Sequence, residues 1–215
     1  MSKPRKTLCV SPRYARSFGT FDHAFPLIGV KGFMPPQGIL VVAAWLPSHW
    51  QVRVIDENVR AVSDEDLRWA DAVFVSGMHV QRHRINTLTR RAQAQGKLVV
   101  LGGPSVSASP QWYPEPDILH VGELGDGTEQ LIMRLDQDAR RPVAQEVYRT
   151  TNRLSMDRFP VPAYDAIDVR DYFLAAFSTP LAALTTATSV TFPSSMAAPR
   201  GPRHLSRSPP SSTRY

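Results

Sequence analysis

Lys97-Leu-Val-Val-Leu-Gly102-Gly103-Pro104-Ser105 limits the choice of fold more than any other stretch. Four apolar residues run without a polar break into two glycines. Such a run, with no alternation, reads as a strand buried on both faces, which is the condition of a parallel sheet covered by helices. The paired glycines let the backbone turn at once and leave no side chain between it and anything that approaches. In open α/β sheets that place, just past the carboxyl end of a strand, is where ligands bind.

The surrounding chain supplies the rest of such a sheet. Thr7-Leu-Cys-Val10 is a first buried strand, closed by Ser11-Pro12. Residues 13–34 carry aromatics and glycines without a period, long for a first connection, and loops of that length are commonly functional. Pro35-Pro36 opens a helix through Leu46 that is apolar nearly all round. Gln51 to Asp56 alternates as a second strand. Ser63-Asp-Glu-Asp66 has the spacing of a capping box for a short helix. Ala72-Val-Phe-Val75 is a third strand, and Arg82 to Gln95 a polar helix stopped by Gly96. Ile118-Leu-His-Val121 follows as a fifth strand, then a helix through Leu135. Val143 to Tyr148 is a candidate last edge strand. Strands and helices alternating at this spacing give an α/β class: a flavodoxin-like (Rossmann-like) doubly wound parallel sheet of about five strands. Right-handed crossovers place the strand ends on one rim.

Four loops meet on that rim: the one after Val10, Ser76-Gly77-Met78-His79, Gly102-Gly103-Pro104-Ser105, and Gly122-Glu123. Small residues in three of them leave a broad, shallow gap, suited to a large flat or extended ligand. Glycine-rich strand ends are also how tight βα turns are made, and spacing alone does not separate the two. Several ligand classes are excluded. Ser11-Pro12-Arg13 is not the Gly-x-Gly-x-x-Gly of a dinucleotide fold, there is no P-loop, and the acids of a phospho-acceptor site are missing after the first strand. His79 and Cys9 have no second metal ligand at a usable spacing, so His79 reads as an ordinary polar side chain. Cys9 is the only cysteine, which excludes an internal disulfide and a cysteine-built metal cluster. No apolar run approaches the roughly 18 residues of a membrane span, and the basic start leads into a short strand rather than a signal sequence, so the expected setting is cytoplasmic.

The motifs in order carry a family resemblance. Pro35-Pro36-x-Gly38 opens a buried helix, Asp56-Glu57-Asn58 follows the second strand, and Asp71-Ala-Val-Phe-Val-Ser-Gly-Met78 spans the third. Gly102-Gly103-Pro104 and Gly122-Glu123-x-x-Asp126 complete the series. The chain from about Thr7 to Leu174 resembles the amino-terminal cobalamin-binding domain of cobalamin-dependent radical SAM enzymes. Arg158-Phe-Pro-Val-Pro-Ala-Tyr-Asp165 resembles the linker into their radical SAM barrel. The resemblance implies cobalamin as cofactor, its corrin across the carboxyl rim and its nucleotide tail between sheet and helices. The matching positions are Ser76, Gly77, Met78, Gly102, Gly103, Pro104, Gly122 and Glu123. The Asp-x-His-x-x-Gly signature that supplies a cobalt ligand in other cobalamin domains is missing, since Asp56-Glu57-Asn58-Val59-Arg60 has no His. No metal ligand and no catalytic residue is therefore assigned. The implied organisation is a cobalamin-binding domain at 1–150, expected to bind the cofactor, and a linker at 151–174. Valine at Gly102 or Gly103 is expected to obstruct the ligand before it weakens the fold. An alternative from another class is a regulatory or protein-contact module on the same fold.

From Ala175 the composition changes abruptly: six prolines, many Ser and Thr, four arginines and no acid. Such a stretch is expected to be disordered. It holds four of the six net positive charges, so the rest of the chain is nearly neutral and offers no basic face for nucleic acid. The Cys-x-x-x-Cys-x-x-Cys that holds an iron–sulfur cluster in the resembled family is absent, so this chain is expected to bind neither that cluster nor SAM productively. The genetic code suggests why. Reading each third base with the first two of the next codon, Ala183, Ala187 and Val190 supply GC, GC and GT, and a preceding T makes each a cysteine codon at the required spacing. The stretch can then spell Gly-Cys-Pro-Tyr-Asn-Cys-Asp-Phe-Cys-Asp-Ile-Pro, similar to the family's cluster loop. Residues 175–215 are thus expected to be an out-of-frame tail, and the third bases of the DNA across codons 170–200 decide it.

Overall fold

The computed structural model describes residues 5–17, 20–21 and 23–174. The disorder and the shifted frame expected of 175–215 lie outside the described residues. Six strands form one sheet in the order β2-β1-β3-β4-β5-β6: β1 (Lys6–Ser11), β2 (Gln51–Asp56), β3 (Ala72–Ser76), β4 (Leu98–Gly102), β5 (Ile118–Val121) and β6 (Glu146–Arg149). Every pairing is parallel. The sixth strand is the edge candidate shifted towards the carboxyl end. Its ladder begins where the Glu146 amide reaches the Asp117 carbonyl at 3.0 Å, while Val143 stays in solvent.

Helices cover both faces. On one side α2 (Asp64–Trp69), α3 (Arg82–Ala94) and α4 (Pro104–Ala108) bury Leu67, Ile85, Leu88 and Val106 against Val10, Val73, Val99 and Leu101. On the other, α1 (Gln37–Trp45) and α5 (Asp126–Gln137) bring Ile39, Ala43, Leu131 and Leu135 onto Cys9, Phe74, Val100 and Ile118. Each fully buried aliphatic side chain contributes about 1.5–3 kcal/mol, which is why strands buried on both faces need no alternation. The capping box forms as read, with Ser63 Oγ accepting the Asp66 amide at 3.1 Å and Asp66 Oδ2 accepting the Ser63 amide at 2.9 Å. Among the described residues no helix is long and apolar enough to cross a membrane.

Crossover geometry fixes what matters for a ligand. α1 lies over the β1–β2 side and α5 over the β5–β6 side, so the face over β3 and β4 is left open between them. Residues 151–174 then return across this region. The Ala163 amide bonds to the Leu40 carbonyl at 3.1 Å, and Tyr164 Oη to Gln37 Oε1 at 2.7 Å. Further on, Gly32 bridges to Tyr172, and the Phe173 and Leu174 amides bond to the carbonyls of Gly32 and Phe33. The aperiodic loop after β1 is thereby held by the far end of the described chain.

Candidate functional site

The parallel register lines up the last residues of the strands: Ser11 beside Asp56, Ser76 beside Gly102, Val121 beside Arg149. All eight rim residues singled out from the sequence come together above this row, around two adjoining hollows. The first, about 350 Å³, enters between α1 and α5. Its floor is Phe74 and Val100, its sides are Ile39, Val42 and Leu131, and Phe159 and Pro162 close it from the returning segment. Ser76, Gly102, Gly103, Pro104, Gly122 and Glu123 form its mouth. The second, about 420 Å³, lies at the β1–β3 switch point, where Ser76, Gly77, Met78 and Pro104 face Tyr14, Phe25, Phe33 and Asp56. The hollows share Gln37, Gly38, Ile39, Ser76 and Pro104. A switch point flanked by a deep apolar slot is the usual ligand location of this architecture.

The two central glycines, alike in the sequence, have different tasks. Gly103 has φ +96°, and a Cβ there would stand 2.7 Å from Ser76 Oγ and 3.1 Å from the Gly77 nitrogen. It serves the turn and its packing on the β3 end. Gly102 is strand backbone whose Cβ would meet only His120 atoms at 3.7–3.9 Å, an ordinary contact. The space above Gly102 belongs to the first hollow, and any side chain there would fill it. That cradle suits a flat group lying against backbone. The geometry separates the pair: a Cβ at Gly102 meets only ordinary contacts, while at Gly103 it would strain the turn itself, so the expectation that either glycine reports on ligand alone does not extend to Gly103.

His79 is anchored rather than free: Nδ1 is 2.6 Å from Ser105 Oγ, which also bonds to the buried Tyr113 hydroxyl, and the ring lies on Trp112 at 4.5 Å. This chain of bonds seats α4 against the rim.

Asp56-Glu57-Asn58 turns out to be the framework of the second hollow. Asp56 accepts the Asn58 amide at 2.9 Å and the Tyr172 hydroxyl at 3.2 Å. Burial holds the Asp56 carboxyl above its ordinary pKa, and burial with the adjacent carboxylate pushes the Tyr172 phenol far up. The phenol therefore keeps its proton and donates it in a hydrogen bond to the Asp56 carboxyl. Asn58 Oδ1 accepts the Tyr14 amide at 3.1 Å, and Glu57, buried, is held through two oxygens by Arg84. Three consecutive residues thus tie the first loop, α3 and the returning segment to one sheet edge.

Sequence reasoning passed over His120, Thr128, Phe159, Pro162 and Tyr172. A signal existed for His120, which follows Ile118 by two in a strand and so shares its face. The others needed the path of 151–174, which no periodicity announces.

Comparison with known proteins follows the same lines. Residues 25–132 match the family model described as the B12 binding domain. Over 173 residues the chain is 56% identical to the hopanoid C-2 methylase of Rhodopseudomonas palustris (strain TIE-1), covering 80% of this chain and 33% of that protein. Over 169 residues it is 30% identical to the uncharacterized methyltransferase sll1242 of Synechocystis sp., covering 78% and 31%. The chain spans about a third of the length of these curated relatives. No solved structure matches it.

Proposed function

Because the chain belongs to the B12-binding domain family, we propose that its rim is a cobalamin cradle: the corrin lies over Ser76–Met78, Gly102–Pro104 and Gly122–Glu123, and the nucleotide tail enters the slot between α1 and α5. The chain is a B12-binding domain related to cobalamin-dependent radical SAM methylases, covering their amino-terminal third. The observation that carries the site assignment is the open slot over Phe74 and Val100, entered past a glycine that needs no positive φ. Cobalamin, when bound, supplies methyl-transfer chemistry at its cobalt. The chain's own residues position it: backbone at Gly102 gives close approach, aliphatic walls exclude water, and no histidine stands in the Asp56–Arg60 turn to ligate cobalt.

On this reading the chain is a holder without catalysis of its own, and SAM and the iron–sulfur cluster belong to the rest of the parent protein. Cys9 supports this, since it is fully buried within the sheet and burial pushes its thiol up to about 12. Cluster ligation takes accessible thiolates. The codon coincidence at Ala183, Ala187 and Val190 supports a lost reading frame as the reason the other cysteines are missing.

A second reading, contact with a protein, is favoured by a ladder of rings beside the second hollow. Phe21, Phe33 and Phe173 stack at 6.1–6.2 Å, with Leu27 85% exposed nearby. Such apolar patches mark interaction surfaces.

Gel filtration of the whole chain mixed with hydroxocobalamin separates the readings. Corrin absorbance eluting with the protein is the expected result. Folded, soluble protein that elutes free of corrin sinks the cobalamin assignment and leaves the contact module. The whole chain is required, because Phe159, Pro162 and Tyr172 lie beyond residue 150.

A further inference from the structure

His120 stands in β5, its ring facing the first hollow beside Gly102. Its two nitrogens are in different situations. Nε2 lies 2.9 Å from the Thr128 hydroxyl, which already accepts the Gly125 amide at 3.1 Å. Thr128 is buried, so its hydroxyl proton needs an acceptor, and the Nε2 lone pair is the one within reach. Thr150 Oγ1, 3.4 Å from the same nitrogen, gives its proton to the Glu123 carbonyl at 2.6 Å. With Nε2 accepting, the ring proton sits on Nδ1. That N–H has no partner among the described residues, and it lies 3.9 Å from where a Gly102 Cβ would be. Burial holds the imidazole below its ordinary pKa, which favours the neutral ring. The Nδ1–H opens into the slot lined by Phe74, Val100 and Leu131, where it is a polar donor on an otherwise apolar wall and is placed to meet an entering acceptor.

Resting on the cobalamin reading, we infer that His120 selects the cofactor's lower base, its Nδ1–H donating to the free ring nitrogen of the dimethylbenzimidazole. The slot takes a flat apolar bicycle, and the one inward donor fixes where that ring's acceptor must lie. The same lone pair cannot also bind cobalt, so the base is held off the metal. Thr128 is the positioning residue that sets the tautomer.

The test compares cobalamin with cobinamide, which carries the corrin but no nucleotide base, by absorbance titration of the full chain. Wild type is expected to prefer cobalamin and to show the spectrum of base-off corrin. His120→Leu should weaken cobalamin about threefold to tenfold, the loss of one neutral hydrogen bond, and leave cobinamide unchanged. His120→Asn, whose amide nitrogen can take the place of Nδ1, should recover most of the difference. If His120→Leu lowers both ligands equally or neither, if wild type binds them equally, or if bound cobalamin keeps its base on cobalt, the role of His120 is overturned. Should the Leu variant not fold, His120→Asn and wild type decide, and an Asn variant without preference for cobalamin counts against it. Wild type that binds neither corrinoid overturns the cobalamin reading beneath the inference.

Discussion

Gly102→Val loses cobalamin affinity by about tenfold to hundredfold, the cost of about 1–3 kcal/mol for forcing extra methyls into an occupied slot, while its melting temperature stays near that of the wild type. The Cβ meets only ordinary contacts at 3.7–3.9 Å, so the empty fold tolerates it, and on the proposed cofactor placement the two methyls occupy space the ligand needs. Gly103→Val behaves oppositely. At φ +96° a β-branched residue is strained, and even if Ser76 Oγ rotates away the Cβ still stands 3.1 Å from the Gly77 nitrogen and 3.3 Å from its carbonyl oxygen, backbone atoms that cannot step aside. Strain of that kind costs about 1–3 kcal/mol before the clash is added, so stability and binding fall together. Parallel titrations and thermal melts of the two variants check this. Equal behaviour of the pair would mean that Gly102 does not face the ligand.

Arg84→Met is expected to destabilise the fold strongly. Glu57, with 1% of its side chain exposed, would keep only the Val62 amide at 3.3 Å as a partner. Removing one member of a buried pair costs about 3–5 kcal/mol, and the partial exposure of Arg84 argues for the lower end. The double variant Glu57→Gln with Arg84→Met should regain much of the loss, because the charge that Arg84 neutralises is then gone. Urea unfolding of the three proteins measures it. A loss below about 0.5 kcal/mol for Arg84→Met, the range of exposed pairs, would show that the Arg84–Glu57 pair does not hold the fold as described.

Much of this fold is legible because its strands are buried on both faces. Leu98–Leu101 and Ala72–Val75 have no solvent side, so composition alone marks them, and Ser63 announces α2 through a local bond that needs no tertiary context. The eight rim residues are legible for the same reason: strand ends in a parallel sheet can only collect on one edge. What was not legible depends on partners far away in sequence. Residues 13–34 and 151–174 have no period because each is held by the other, through Gly32 with Tyr172 and Lys31 with Asp171 at 2.9 Å. Asp56 and Glu57 read as a motif, but their work, receiving Tyr172 and Arg84, spans separations that spacing cannot show. The inferred tautomer of His120 rests on Thr128, a helix residue whose hydroxyl accepts the Gly125 amide and stands 2.9 Å from the ring, contacts that spacing alone does not reveal.

Amide hydrogen exchange with and without bound cobalamin addresses the central claim residue by residue. Exchange should slow at Ser76–Met78, at Gly102, Gly103 and Ser105, at Gly122–Glu123 and in the first turn of α1, with the strand cores unchanged. Slowing confined to the opposite edge, around Ala70–Asp71 and Gly96–Lys97, or none at the rim despite bound corrin, would contradict the placement of the cofactor over these strand ends.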